Sequence, residues 1–346
     1  MFDIKHNTTT EALVIHQKGD LRLDTLPLAP PLEGQTLIRL AWGGICGSDM
    51  HYLMHGGVGA SVLKEPMILG HEVSGFVEAL GPGESRFQVG EAVAIHPARP
   101  CGHCPECMRG MRHLCRNMCF FGSAARYPHT DGGFRRHMVV QSTQLHALPA
   151  GLDVKAASMA EPFSVALHAI ARAGDIRGKK VMVQGAGPIG SLIVAGLKVG
   201  GAQSIVATDL HDFALTIAHH LGATAVFNTS QAVHEDEYDI VFEATGASTA
   251  LSNAIMRTQK GGTLIQVGMF PPGDVSAPLS QIIAREIDYR GTFRFDHEFE
   301  NALHILANNP WIAAHLITRS FPLEQYSEAF ALSMDRKKSS KVILEM

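Results

Sequence analysis

The pattern of apolar positions divides the chain into two kinds of segment. Val181, Met182 and Val183 form an unbroken apolar run, as in a strand buried on both faces. Gly185-Ala186-Gly187-Pro188-Ile189-Gly190 follows at once, Leu192 to Val199 continues with a helical pattern, and Ser204 to Ala207 leads as a second strand to Asp209. Further strands are predicted at Ala225 to Phe227, Asp239 to Glu243, Thr263 to Val267 and Ile287 to Tyr289, with helices between most of them, such as Phe213 to Leu221 and Ser248 to Arg257. Six strands alternating with helices predict a doubly wound parallel sheet. Gly246 and Gly268 fall just past two strand ends, where such sheets meet their ligands.

The first 150 residues read differently. Short alternating strands at Ala12 to Ile15, Thr36 to Ala41, Val73 to Leu80, Ala92 to Ile95 and Phe134 to Val140 are separated by Gly and Pro turns, the pattern of a mainly antiparallel, barrel-like β domain. The last 55 residues add a predicted helix from His297 to Asn308 and a strand from Val342 to Leu344.

In the glycine-rich turn each residue has a physical role. Gly185 permits the tight turn, Gly187 removes a side chain where a pyrophosphate approaches, and Gly190 lets helix and strand pack closely. The helix that opens at Pro188 and Ile189 presents free N–H groups and a positive dipole end to the phosphates. Asp209 lies nineteen residues past Gly190 and is placed to accept hydrogen bonds from the adenosine ribose. A 2′-phosphate would be repelled there, and Leu210, His211, Asp212 and Phe213 supply no Arg, so the sequence predicts NAD rather than NADP.

Composition narrows the class without changing the picture. The chain has 346 residues, 29 Lys plus Arg against 33 Asp plus Glu, a net charge of −4 and a 46% hydrophobic fraction. These values exclude an extensively disordered or collagen-like chain and give no electrostatic case for nucleic acid or anionic lipid. Val181 to Leu197 is uncharged but contains Gln184, Pro188 and four glycines, which suits a strand, turn and helix better than a membrane span. Met1 to Thr10 has no apolar core and is not read as a signal peptide, so a cytoplasmic location is expected.

Cys101, Cys104, Cys107 and Cys115 fall within fifteen residues as C-x2-C-x2-C-x7-C. Four thiolates satisfy tetrahedral zinc and leave no position open, so this spacing predicts a structural site. The segment from His96 to Met118 has no period of its own, and a metal there replaces a core. A disulfide loop is the alternative, disfavoured in a reducing compartment. Cys119 is left over and is read as a buried small residue.

Three further clusters carry chemistry: Gly43 to His51, with Cys46, Ser48 and His51; Gly70-His71-Glu72; and Glu161-Pro162. Cys46, His71 and a carboxylate make a borderline-soft S/N/O set suited to a catalytic zinc. Spacing alone does not establish that they meet, and singly they read as a buried thiol, a satisfied histidine and a surface acid.

The motifs together, in order, are GGICGSDMHY at 43–52, GHE at 70–72, the four-cysteine segment, DGGF at 131–134, AEPFSVALHA at 160–169, GAGPIG at 185–190 and FRF at 293–295. Across nearly the whole chain this sequence resembles the zinc-dependent medium-chain dehydrogenases, and within them the polyol dehydrogenase branch. The resemblance implies a GroES-like β-rich catalytic domain (1–153 and 292–346, with the zinc lobe at 96–119) and a Rossmann NAD-binding domain (154–291). It implies two zinc ions per chain. Cys46, His71, Glu72 and Glu161 match the catalytic zinc site, with Glu161 binding directly or through water, and Ser48 and His51 match the proton relay. Glu161 replaces the cysteine of alcohol dehydrogenases and points toward polyols.

Within the branch, the segments Phe120 to Ala124 with Pro128-His129, and Arg290 to Phe295, are more similar to idonate than to sorbitol dehydrogenases. Tyr52, Phe121, Arg126 and Arg294 are the expected substrate residues, with Arg126 or Arg294 (and less so His129) receiving a carboxylate. Phe295 stands where sorbitol dehydrogenases often have tyrosine. The expected reaction is NAD-dependent oxidation of a secondary alcohol in a sugar acid or polyol, with L-idonate at C5 favoured and sorbitol or xylitol as the alternative. An NAD-binding sensor without the second metal is the non-enzymatic alternative. The family forms homodimers or homotetramers, which is the assembly expected here.

Overall fold

The structure is a computed structural model and describes residues 8–231 and 236–346. Residues 1–7, most of the stretch read above as no signal peptide, lie outside it. No helix among the described residues is long and apolar enough to cross a membrane.

The N-terminal half is antiparallel. Strand β1 (Thr9–Gln17) pairs with β2 (Asp20–Pro27), a partner the sequence reading did not include. None of its residues is fully buried, so no inward face announces it. A larger sheet is built from β3 (Gln35–Gly44), β4 (Glu72–Leu80), β5 (Ala92–Ile95), β6 (His137–Gln141) and β7 (Leu145–Ala147). Helix α1 (Gly47–His55) leaves the end of β3. Cys46 is its N-cap, and Asp49 reaches back to accept the Cys46 N–H, the reciprocal arrangement that starts a helix well. The DGGF segment is a packing device: Asp131 accepts the Ile68 N–H at 3.0 Å, and Phe134 is fully buried.

The second half is parallel. Helix α2 (Ala160–Ala173) buries Ala160, Phe163, Ala166, Ala169 and Ala173, a stripe at helical spacing. Strands β8 (Lys180–Gln184), β9 (Ser204–Asp209), β10 (Ala225–Asn228), β11 (Tyr238–Glu243), β12 (Thr258–Gln266) and β13 (Asp288–Gly291) form a six-stranded parallel sheet in the order β10-β9-β8-β11-β12-β13. Helices α3 (Pro188–Gly200), α4 (Asp212–His220) and α5 (Ser248–Arg257) connect the strands. Val181 and Val183 face one core and Met182 the other, so both faces of β8 are covered and its sequence is continuously apolar.

Helices α6 (Glu298–Asn308) and α7 (Trp311–Leu316) pack into the same core as α2 and α3, through Phe299, Leu303, Leu306 and Ile312. The chain then rejoins the first sheet. Strand β14 (Ile317–Pro322) pairs with β15 (Lys341–Glu345), and β15 pairs with the far end of β3. The order β8-β11 marks the crossover of the parallel sheet, and the Gly185–Gly190 turn and Gly246 both lie at its carboxyl edge.

Candidate active site

Strand pairing brings the distant candidates together. Gly44 at the end of β3 lies opposite Glu72 at the start of β4. Cys46 and His71 are therefore neighbours, although 25 residues separate them. A Cβ on Gly44 would stand 2.0 Å from Glu72 Oε2, so only glycine leaves room for that carboxylate. The sulfur of Cys46, a ring nitrogen of His71 and an oxygen of Glu72 all lie within 4.8 Å of one another. Glu161, from the first turn of α2, is buried close by but is not one of that trio.

The electrostatics of this cluster favour a cation. Asp49 is fully buried and accepts N–H groups from Cys46 (2.9 Å) and Gly70 (3.2 Å), and its Oδ1 stands 3.9 Å from His71 Nδ1. Burial opposes a charge on His71, yet Cys46, Asp49 and Glu161 together raise its pKa well above the ordinary value. Burial pushes the Glu161 carboxyl up to about 7, partly offset by His71, reinforced by Glu72 and opposed by Lys341 and Arg294. A thiol and three acids thus surround one imidazole. Its Nδ1 is buried without a hydrogen bond. The set of one S, one N and carboxylate O donors fits zinc.

Lys341 was not expected. It is buried on β15, with Nζ 2.7 and 2.8 Å from the two Glu72 oxygens and 3.2 Å from the Ile45 carbonyl. It balances part of the acidic charge. A lysine in the closing strand has no sequence signal that ties it to residues 269 positions away.

The four lobe cysteines also converge, with ligand sulfurs within 4.8 Å of one another. The N–H groups of Cys101 (3.2 Å) and Asn117 (3.3 Å) point at Cys115 Sγ, as suits a thiolate. Cys119 is not buried. It lies at the edge of this lobe, and the Arg126 and Arg99 guanidinium groups point at its sulfur from 3.1 and 3.7 Å.

The expected substrate residues separate into two groups. Arg294 sits beside the metal cluster. Its guanidinium stacks 4.6 Å from the Phe120 ring and 4.9 Å from Phe293, and Phe120 lies 5.5 Å from the His71 ring. Arg294 has no hydrogen bond or ion pair among the described residues. Arg126 is turned to the lobe, donating to the Asn117 carbonyl at 2.8 Å. Both His129 nitrogens are engaged, by the Lys64 N–H and the Arg126 carbonyl. Tyr52 is buried with its hydroxyl accepting the Ala124 N–H at 2.8 Å, and Phe121 is packed in a core cluster. Phe120, not Phe121, faces the site; alternation along an aromatic pair gave no way to choose between them.

Ser48 and His51 share a face of α1, the first half-buried and the second exposed. Burial, His55 and Arg336 hold the His51 pKa below its usual value. At the other edge, Gly187 caps α3, and nothing lies within 4 Å of where its Cβ would be. Gly185 has φ +96°, and a Cβ on Gly190 would stand 1.8 Å from the Gly185 carbonyl, so neither tolerates a side chain. Asp209 accepts N–H groups from Ala186 (2.8 Å) and His211 (2.9 Å), which fixes its carboxylate beside the glycine turn. Gly268 packs against Gly246, closing the adjoining edge. An open helix N-terminus beside a fixed acid fits a dinucleotide.

Comparison with known proteins agrees with this geometry. Residues 32–150 match the alcohol dehydrogenase GroES-like domain, and residues 188–308 match the zinc-binding dehydrogenase domain. The chain is 38% identical over 317 residues to L-idonate 5-dehydrogenase (NAD(P)(+)) of Escherichia coli strain K12, covering 89% of this chain and 91% of that one. It is 32% identical over 336 residues to sorbitol dehydrogenase of Bacillus subtilis, covering 94% of each. The crystal structure of the Escherichia coli L-idonate 5-dehydrogenase superposes with a TM-score of 0.92 at 35% identity, covering 98% of both chains. A β-rich domain followed by a doubly wound sheet, with an S/N/O trio in the first and a glycine-rich turn in the second, places this chain in the zinc-binding alcohol dehydrogenase family, among its polyol dehydrogenases.

Proposed function

We propose that this protein is a cytoplasmic NAD-dependent dehydrogenase that oxidises the C5 hydroxyl of L-idonate to the ketone, giving 5-keto-D-gluconate. The observation that carries the substrate is Arg294, a largely desolvated guanidinium beside the cluster that forms no ion pair among the described residues and feels the Glu161 carboxylate only at longer range. A polyol needs only hydrogen-bond partners there, whereas a carboxylate satisfies the charge.

Cys46, His71 and Glu72 hold the catalytic zinc, with Glu161 as the further carboxylate beside them; Cys101, Cys104, Cys107 and Cys115 hold the structural one. When bound, the catalytic zinc supplies Lewis acidity at the carbinol oxygen, and NAD accepts the hydride from carbon. The remaining work falls to side chains. Ser48 accepts the substrate hydroxyl proton as it releases its own toward the exposed His51, three residues on, whose imidazole passes a proton to solvent. Arg294 orients the acid end of the substrate so that the carbinol faces the cluster. Asp209 holds the adenosine ribose and disfavours a 2′-phosphate, and Gly185, Gly187, Pro188, Ile189, Gly190 and Gly268 shape the dinucleotide site. Homodimeric or homotetrameric assembly belongs to the same reading.

A substrate panel with NAD tests it. L-Idonate is expected to exceed sorbitol and xylitol in kcat/KM by about tenfold or more, the scale of one charge-assisted contact. Faster turnover of sorbitol or xylitol would overturn the substrate, and a preference for NADP would overturn the role of Asp209.

A further inference from the structure

Arg294 is held in an unusual way. Its φ is +54°, a left-handed conformation disfavoured for a residue with a side chain. A cavity of about 400 Å³ opens beside its loop, bordered by His96, Arg112, His113, Phe295, Asp296 and His297, and the neighbouring Phe295 is buried against His96 and Phe299, so packing anchors the loop at that one residue. Polar contacts fix its two feet. Helix α2 carries Glu161 in its first turn and His168 seven residues later, on the same side of the helix. His168 Nδ1 lies 2.8 Å from Glu298 Oε1, and the other Glu298 oxygen accepts the Asp296 N–H at 2.7 Å. At the other foot of the loop, Arg172 of the same helix donates to the Gly291 carbonyl at 3.1 Å. From the cysteine lobe, His113 stands edge-on to His168 at 4.8 Å and places Nδ1 3.5 Å from Asp296 Oδ2.

One helix therefore carries Glu161 and grips both ends of the segment that presents Arg294. We propose that His168 and Glu298 are positioning residues for substrate recognition: they hold the Arg294 loop at a set distance from the metal cluster, and the four-cysteine lobe supports the grip through His113. This inference rests on the reading of Arg294 as the carboxylate anchor. It gives the lobe a part in specificity in addition to stability.

The test uses the full-length, metal-loaded enzyme with L-idonate and NAD, and four variants: His168→Leu, His168→Asn, Arg294→Ala and the His168→Leu/Arg294→Ala double variant. His168→Leu is expected to raise KM for idonate about tenfold with kcat within about threefold, the scale of a small misplacement of one anchor. NADH affinity, read by fluorescence, stays unchanged. His168→Asn keeps a nitrogen donor near the Nδ1 position and restores most of the KM. With Arg294 already replaced, His168→Leu changes KM by less than about twofold, because its effect passes through that side chain. Glu298→Gln, assayed in the same two backgrounds, serves if His168→Leu does not accumulate. An equal KM change with and without Arg294, or a parallel loss of NADH affinity, would overturn the proposal and leave only a packing role. If Arg294→Ala itself left the idonate KM unchanged, the substrate reading would fall instead.

Discussion

The two ligand clusters differ in how they are assembled. The lobe gathers four sulfurs from fifteen consecutive residues, and no acid or lysine enters the set. The second cluster takes its trio from the facing ends of β3 and β4, and Glu161 and Lys341 come to it from α2 and β15. Four thiolates leave no position open in the first, so a metal bound there would serve structure. The second is mixed, buried and electrostatically unbalanced, with Glu161 and His71 both displaced from their ordinary pKa ranges. A donor set drawn from several elements lets each element tune the centre, whereas in the lobe the thiols are shifted locally, Cys101 down to about 6 chiefly by a backbone hydrogen bond from His103 and Cys107 up to about 12 chiefly by burial.

Three substitutions bear on that contrast. The largest effect is expected for Cys46→Ala: kcat/KM falls on the order of 10⁴-fold, because the electrophile is lost while the fold is kept. Zinc content, measured by atomic absorption, drops from two ions per chain to one, and Tm moves little. A variant that kept both zinc ions and full turnover would dissolve the distinction between the clusters. Next is Cys104→Ser, which removes one lobe ligand and should act on stability first. Calorimetry is expected to show Tm lower by roughly 10 °C, the consequence of losing a metal that substitutes for a core. The zinc remaining at the other cluster should still support measurable turnover. A full loss of turnover at unchanged Tm would reverse the assignment of the two sites.

Smaller and more diagnostic is Lys341→Met. It leaves Glu72 buried without its cation, which costs about 3–5 kcal/mol when a buried pair is broken from one side. Chemical denaturation measures that loss. Zinc bound at the catalytic cluster should compensate part of it, so the deficit shrinks as free zinc is raised. A deficit indifferent to zinc would mean that Lys341 serves only the strand.

How much of this was legible depends on sequence distance. The glycine turn, its strand and helix, and Asp209 lie within one supersecondary unit, and the structure has each element where local pattern predicted it, including all six strands of the parallel sheet. Ser48 and His51 are one helical turn apart, so their shared face was also readable. Strand β2 was missed although Leu21, Arg22, Leu23 and Asp24 alternate apolar and charged, because the stretch is short and none of its residues is fully buried. Asp49 was passed over although its spacing from Cys46 is that of a helix cap. Among the substrate residues, Arg126 and Arg294 could not be told apart from composition, since both are arginines in loops flanked by aromatic or small residues. Only the fold shows one bonded to the cysteine lobe and the other stacked on Phe120.

The sequence by itself determined the elements, the cysteine knuckle and the dinucleotide turn, because helical and strand periods, metal-ligand spacing and glycine geometry act over a few residues. Tertiary structure decided which carboxylates, which lysine and which arginine surround Cys46 and His71. Those choices follow from strand register and from the path of α2 and β15, and burial then sets the charge each group carries. Both depend on contacts between residues far apart in the chain, and no local pattern encodes them.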